Sequence, residues 1–97
     1  MNNRIFKAQR IVITYDRTLQ LITDRESEEC VVSQNTYFFF ILASVLETYP
    51  EIKKRFPPGI LGFTVNGVPP DDDTLLQDGD IVHFSIPTIG NYLIEGQ

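Results

Sequence analysis

The sequence predicts an α+β protein in which one main helix packs on one face of a small mixed sheet. Extended segments rich in β-branched and aromatic residues occur in both halves of the chain. One long apolar stretch with helical spacing lies between them. The pairs Asn66-Gly67 and Asp78-Gly79 predict tight turns in the second half, because these residue types tolerate positive φ angles.

The first third of the chain predicts two strands. Ile5–Tyr15 forms the first, with its clearest β pattern from Arg10 onward. Leu19–Ile22 is expected to begin the second strand, which resumes at Cys30–Val32 after an irregular polar stretch. The tip of the hairpin is open between two positions, Asp16-Arg17 and Asp24–Glu28.

The main helix is expected to begin after a cluster of capping residues, with Ser33, Asn35 or Thr36 as N-cap, and to end near Tyr49. Pro50 predicts a break, since proline fits the first turn of a new helical segment better than a helix interior. The inward-facing stripe at 3.6-residue spacing comprises Phe38, Ile41, Leu42, Val45, Leu46 and Tyr49.

The second half predicts two more strands and an acidic loop. Pro57-Pro58-Gly59 requires a non-helical connection, after which Leu61–Asn66 alternates as a strand. Asp72 or Asp73 is expected to cap a short helical turn at Thr74–Gln77. Ile81–Ile86 is the last predicted strand, with Val82, Phe84 and Ile86 on one side.

Composition limits the classes of partner. The 97 residues are expected to form one domain with a modest core. The formal net charge of −5 makes nucleic acid and anionic membranes poor partners and favours a basic protein. Cys30 is the only cysteine, so neither an intrachain disulfide nor a cysteine metal cluster can form. The longest apolar run, at residues 37–45, is too short to span a bilayer, and we expect a cytosolic protein.

Several short motifs occur together in a characteristic order. Leu46–Pro50 ends the helix as L-x-x-Y-P, Phe63–Gly67 ends a strand in V-N-G, and Leu75–Val82 contains D-G-D before the last strand. This ordered set resembles the ubiquitin-like β-grasp sulfur carriers, such as the small subunit of molybdopterin synthase and the thiamine-pathway carrier. The resemblance implies a four- or five-stranded mixed sheet with one main helix on one face.

The resemblance also implies a carrier chemistry that the end of this sequence does not match. Those carriers work through a C-terminal Gly-Gly that is adenylated and then thiolated. Here Gly90 is followed by Asn91 and six further residues. One alternative is trimming to Gly90, which would give a sulfur carrier or protein modifier with an adenylating enzyme or a synthase large subunit as partner. The favoured alternative is that residues 90–97 form an extra strand or a docked tail.

Two groups of apolar residues are predicted to bind a protein partner. Tyr37 and Phe40 are expected to point outward from the helix, because Phe38 and Ile41 occupy its sheet-facing stripe. The tail contributes Tyr92, Leu93 and Ile94. A homodimer would satisfy either group, and the N-terminal segment 1–10 is an alternative cover for the aromatic residues.

No catalytic, metal or cofactor site is expected, so the chain is predicted not to be an enzyme. His83 has no serine, cysteine or second histidine that would complete a catalytic set. Cys30 follows two glutamates, which raise a thiol pKa and weaken the nucleophile. Asp71, Asp72 and Asp73 are consecutive, whereas a calcium loop needs alternating ligands and a distant bidentate carboxylate.

Overall fold

A computed structural model describes residues 7–57 and 59–87 of the 97-residue chain. The elements follow one another as two strands separated by a short helix, two consecutive helices, and two further strands. Their bounds are β1 Ala8–Tyr15, α1 Arg17–Thr23, β2 Ser27–Ser33, α2 Phe38–Thr48, α3 Glu51–Arg55, β3 Gly62–Val65 and β4 Ile81–Ser85.

The four strands form one mixed sheet in the order β2-β1-β4-β3. β1 pairs antiparallel with β2 and parallel with β4, and β3 pairs antiparallel with β4. The two central strands, β1 and β4, therefore come from opposite ends of the described chain. This topology confirms the predicted mixed sheet with a helix on one face.

Alternation along the central strands separates a buried sheet face from an open one. In β1 the buried residues are Ile11, Ile13 and Tyr15, and along β4 and just beyond it they are Val82, Phe84 and Ile86. Phe38, Ile41 and Val45 of α2 pack on the buried face. Leu42, Leu46 and Tyr49 are partly buried beside them, so the predicted helical stripe is confirmed.

The start of α2 differs from the prediction, which placed the N-cap at Ser33, Asn35 or Thr36. The N-cap is Tyr37, whose side chain makes no capping hydrogen bond. The backbone N–H of Phe38 instead donates to the carbonyl of Thr74 at 2.9 Å, and Leu76 N–H donates to the carbonyl of Thr36 at 2.9 Å. A distant loop therefore decides where α2 begins. The predicted break at Pro50 is confirmed, since Pro50 precedes α3.

The prediction that Leu19–Ile22 begins the second strand is wrong, because these residues lie in α1. Asp16 caps this helix by accepting the N–H of Leu19 at 2.9 Å. Leu19 and Thr23, four residues apart, form its buried face. The helix ends at Asp24 in the left-handed conformation, and the strand follows at Ser27.

The predicted glycine turns are confirmed, whereas the predicted helical turn at Thr74–Gln77 is wrong. Asn66, Gly67 and Gly79 have φ angles of 51°, 84° and 89°. The residues from Thr74 to Gln77 are not helical. Asp71, rather than Asp72 or Asp73, organises this loop by accepting the N–H of Asp73 and the hydroxyl of Thr74.

Candidate protein-binding surfaces

The outer face of the sheet carries a set of side chains that we call the open sheet face. It points away from α2 and follows from the two-residue alternation of the strands. Its members are half-buried or exposed, in contrast to the fully buried inner face. The open sheet face comprises Arg10, Val12, Thr14, Ser27, Glu29, Val31, Thr64, Ile81, His83 and Ser85.

A hydrogen-bonded pair occupies the middle of the open sheet face. Thr14 of β1 and His83 of β4 are register partners, and Thr14 Oγ1 lies 2.6 Å from His83 Nδ1. Thr64 of β3 is the register partner of His83 on its other side. His83 is thus a strand residue whose ring is hydrogen-bonded to a hydroxyl on the neighbouring strand.

Two apolar side chains, Val12 and Ile81, lie beside this polar pair on the same strands. Val12 and Ile81 are register partners, and Ile81 is 46% exposed. Val31 on β2 is also exposed, beside Arg10, which forms an ion pair with Glu29 at 3.1 Å. A mixed surface, with partly exposed apolar side chains among polar groups in fixed positions, is suited to a protein interface.

The predicted partner-binding aromatics form a second surface, on the helical side of the sheet. Tyr37 is 49% exposed and Phe40 is 55% exposed. Phe39, which the sequence did not single out, is also exposed, and Leu75 lies opposite Tyr37 in an isolated antiparallel bridge. Because α2 packs on the buried face, these aromatics and the open sheet face lie on different sides of the molecule.

The residue that follows β4 is held in place by Asp16. Ile86 N–H donates to Asp16 Oδ2 at 2.8 Å, and Asp16 N–H donates to the carbonyl of Phe84 at 3.1 Å. The end of β4 is thereby attached to the start of α1. The predicted site residues Gly90, Tyr92, Leu93 and Ile94 lie outside the described residues, so their roles stay predictions.

Three titratable side chains close to Glu28 have raised pKa values. Burial, followed by the nearby charge of Glu28, raises the pKa of the Cys30 thiol, which disfavours the thiolate. Tyr15 and Tyr49 both donate to Glu28 Oε2, at 2.5 and 2.9 Å. Burial and these hydrogen bonds raise the pKa of both phenols. This cluster joins β1, β2 and the end of α2, and it supports a structural role.

Asp78 and Asp80 accept hydrogen bonds from nearby backbone and side-chain groups. Asp80 accepts the N–H of Gln77 at 2.7 Å and the side-chain amide of Asn66 at 2.8 Å. Asp78 accepts the N–H of Arg10. Within residues 7–57 and 59–87, no group of three metal-ligating side chains is close enough to hold an ion. No helix in the same ranges is both long and apolar enough to cross a membrane.

Comparison with solved structures decides the fold. A protein described as molybdopterin converting factor, subunit 1, from Pyrococcus furiosus matches with a TM-score of 0.71 and 16% identity, over 82% of this chain and 99% of that one. This chain has the ubiquitin-like β-grasp fold.

Two proteins of Haloferax volcanii share this fold. Small archaeal modifier protein 1 matches with a TM-score of 0.69 and 13% identity, over 82% of the β-grasp chain described here and 99% of its own. Protein HVO 2177 matches with a TM-score of 0.71 and 17% identity, over 93% of both chains. No protein-family model and no curated protein matches the sequence. At these identities the comparisons show the fold, which makes the chain a small ubiquitin-like protein.

Proposed function

We propose that this chain is a non-catalytic ubiquitin-like module that binds a protein through the open sheet face. The observation that carries the proposal is the partly exposed apolar pair Val12–Ile81 beside the hydrogen-bonded Thr14–His83 pair on the two central strands. This surface lies on the central strands, where the parallel and antiparallel pairings hold the backbone rigidly.

Tyr37 and Phe40 form a second predicted contact, and the tail residues Tyr92, Leu93 and Ile94 a third. Since the aromatics lie on the helical side, a partner that reaches both surfaces must extend around an edge of the sheet. The net charge of −5 favours a basic partner through long-range attraction.

Affinity capture from the native host tests this proposal with one variant of the open sheet face and one matched control. Ile81→Lys places a charge on the open sheet face, whereas Leu21→Lys places the same charge on the exposed side of α1. Both variants change the net charge equally, so long-range attraction is matched. The proposal requires a protein that Ile81→Lys loses and Leu21→Lys retains; equal capture by both variants would refute it.

The second candidate is a sulfur carrier or protein modifier activated at Gly90 after trimming. It is supported by the fold shared with a protein described as a molybdopterin converting factor subunit and with a small archaeal modifier protein. Its partners would be an adenylating enzyme or a synthase large subunit. Intact mass of the protein from its native host tests it: a chain ending at Gly90 supports the carrier, and a chain containing residues 91–97 supports the binding module.

A further inference from the structure

An apolar groove runs between the helices and the edge of the sheet. It encloses about 490 Å³, and α2, α3 and the segment that leads into β3 form its walls. Its lining includes Leu42, Leu46, Phe56, Leu61 and Phe63, with Lys53 at the rim. We call this surface the edge groove.

The edge groove is open because β3 is a terminal strand of the described sheet. The strand order ends at β3, which is only four residues long. Leu42, Leu46, Phe56, Leu61 and Phe63 are therefore packed against the core from one side only and remain half-buried. Covering them would remove further apolar surface from water, at roughly 25 cal/mol per Å².

The tail leaves the sheet next to β3, the strand that borders this groove. A Cβ atom built on Gly62 would lie 3.6 Å from Cγ of Pro87 and 3.1 Å from Oγ of Ser85. Gly62 stands between Leu61 and Phe63, and Phe63 lines the groove from the other face of β3, so the tail must pass around this edge strand to reach it. Residue 92 is five positions beyond Pro87, and an extended chain covers roughly 3.3 Å per residue. The apolar cluster of the tail can therefore reach the groove.

The charges of the two segments are complementary. Lys53 borders the edge groove, and it belongs to a basic run, Lys53-Lys54-Arg55, in an otherwise acidic chain. Glu95 follows directly after the apolar cluster Tyr92-Leu93-Ile94. A tail that inserts this cluster brings Glu95 close to the basic rim, which favours this occupant over a basic or purely apolar segment.

From these relations we infer that residues 88–97 fold back on their own chain and insert Tyr92, Leu93 and Ile94 into the edge groove. This inference goes beyond the proposed function, because the edge groove lies on the helical side, away from the open sheet face. While docked, the three residues are withheld from any partner, so tail-mediated binding requires release from the groove.

Cross-linking tests the inference in the full chain without any partner. In a Cys30→Ser background, Asn91→Cys is paired with Ala43→Cys, since the exposed Ala43 borders the depression that shares Leu42, Leu46 and Lys53 with the groove. The matched control pairs Asn91→Cys with Val31→Cys, an exposed site on the opposite edge strand. A short bismaleimide should link the first pair within one molecule about tenfold faster than the second, because docking raises the local concentration.

Adding Leu93→Asp to the first pair should remove this advantage. Equal rates for the two pairs would overturn the inference, and so would a linked dimer as the main product, which would make a second copy the occupant. Methyl NMR of the chain without introduced cysteines gives an independent readout: Leu93→Asp should shift the methyl signals of Leu42, Leu46 and Leu61. Unchanged groove signals would also overturn the inference, while leaving the test of the open sheet face intact.

Discussion

The carboxylate of Asp16 accepts the backbone N–H of Ile86 at 2.8 Å, which joins two residues that are 70 positions apart. The other oxygen of the same carboxylate caps α1 through the N–H of Leu19. One side chain therefore fixes both the entry into the first helix and the point from which the tail leaves the sheet.

Asp16→Ala should lower the free energy of unfolding by about 2 kcal/mol, combining about 1 kcal/mol for the N-cap with a similar amount for the hydrogen bond to Ile86. Chemical denaturation measures the change. Asp72→Ala is the control, since Asp72 is exposed in the acidic loop and should stay within about 0.5 kcal/mol of the parent. An equal effect of the two substitutions would show that Asp16 holds neither element.

Substitution of Asn66 tests the hydrogen bonds that link the two glycine turns. Its amide donates to Asp80 and its carbonyl oxygen accepts the N–H of Ile81 at 2.9 Å, while its φ is positive. Asn66→Gly keeps the backbone relaxed and loses both hydrogen bonds, so we expect a loss of about 1–2 kcal/mol in unfolding free energy. Asn66→Ala should lose about 1 kcal/mol more, because it adds backbone strain.

Asn35→Gly is the matched control for that measurement. Asn35 also has a positive φ, of 66°, and its side chain takes part in none of the hydrogen bonds found in the described part of the chain. Its replacement should leave the unfolding free energy unchanged or slightly raise it. A loss at residue 35 as large as that at residue 66 would mean that the hydrogen bonds to Asp80 and Ile81 contribute little.

The Tyr15–Glu28–Tyr49 cluster predicts a loss of stability at alkaline pH. The pKa of both phenols is raised in the folded chain, whereas an unfolded tyrosine titrates near pH ~10. Above that pH the unfolded chain releases protons that the folded chain retains, so the free energy of unfolding falls as pH rises. The contribution is present in full below pH ~10.

Urea denaturation between neutral pH and pH ~11 measures this dependence. Tyr15→Phe should make the alkaline decline shallower, since it removes the more deeply buried of the two phenols. Tyr37→Phe, at an exposed position, should leave the decline as it is in the parent. An identical decline in the parent and in Tyr15→Phe would contradict the proposed linkage.

The parts of the fold that the sequence could predict depend on local patterns. Ile11 and Ile13, and likewise Val82 and Phe84, are apolar residues two positions apart, which identifies strands. The spacing of Phe38, Ile41 and Val45 identifies a helix. These patterns repeat over enough residues to be distinguished by their period.

The parts that were missed depend on contacts distant in sequence. Leu19–Ile22 is a short apolar run that fits a strand or a helix, and only burial of Leu19 with exposure of Leu21 decides for α1. The start of α2 depends on carbonyl and N–H groups of the segment that contains Thr74 and Leu76. The edge groove arises where three separate segments meet, and its residues carry no shared sequence pattern.

The dissociation constant of the complex with the partner tests most directly whether the open sheet face binds a protein. With the captured partner in purified form, calorimetry compares the parent chain with Ile81→Lys and Leu21→Lys. Ile81→Lys should weaken binding about tenfold or more, because it places a charge on the largest exposed apolar side chain of this interface, and Leu21→Lys should leave the affinity near the parent value. Equal affinity of Ile81→Lys and the parent would contradict the account.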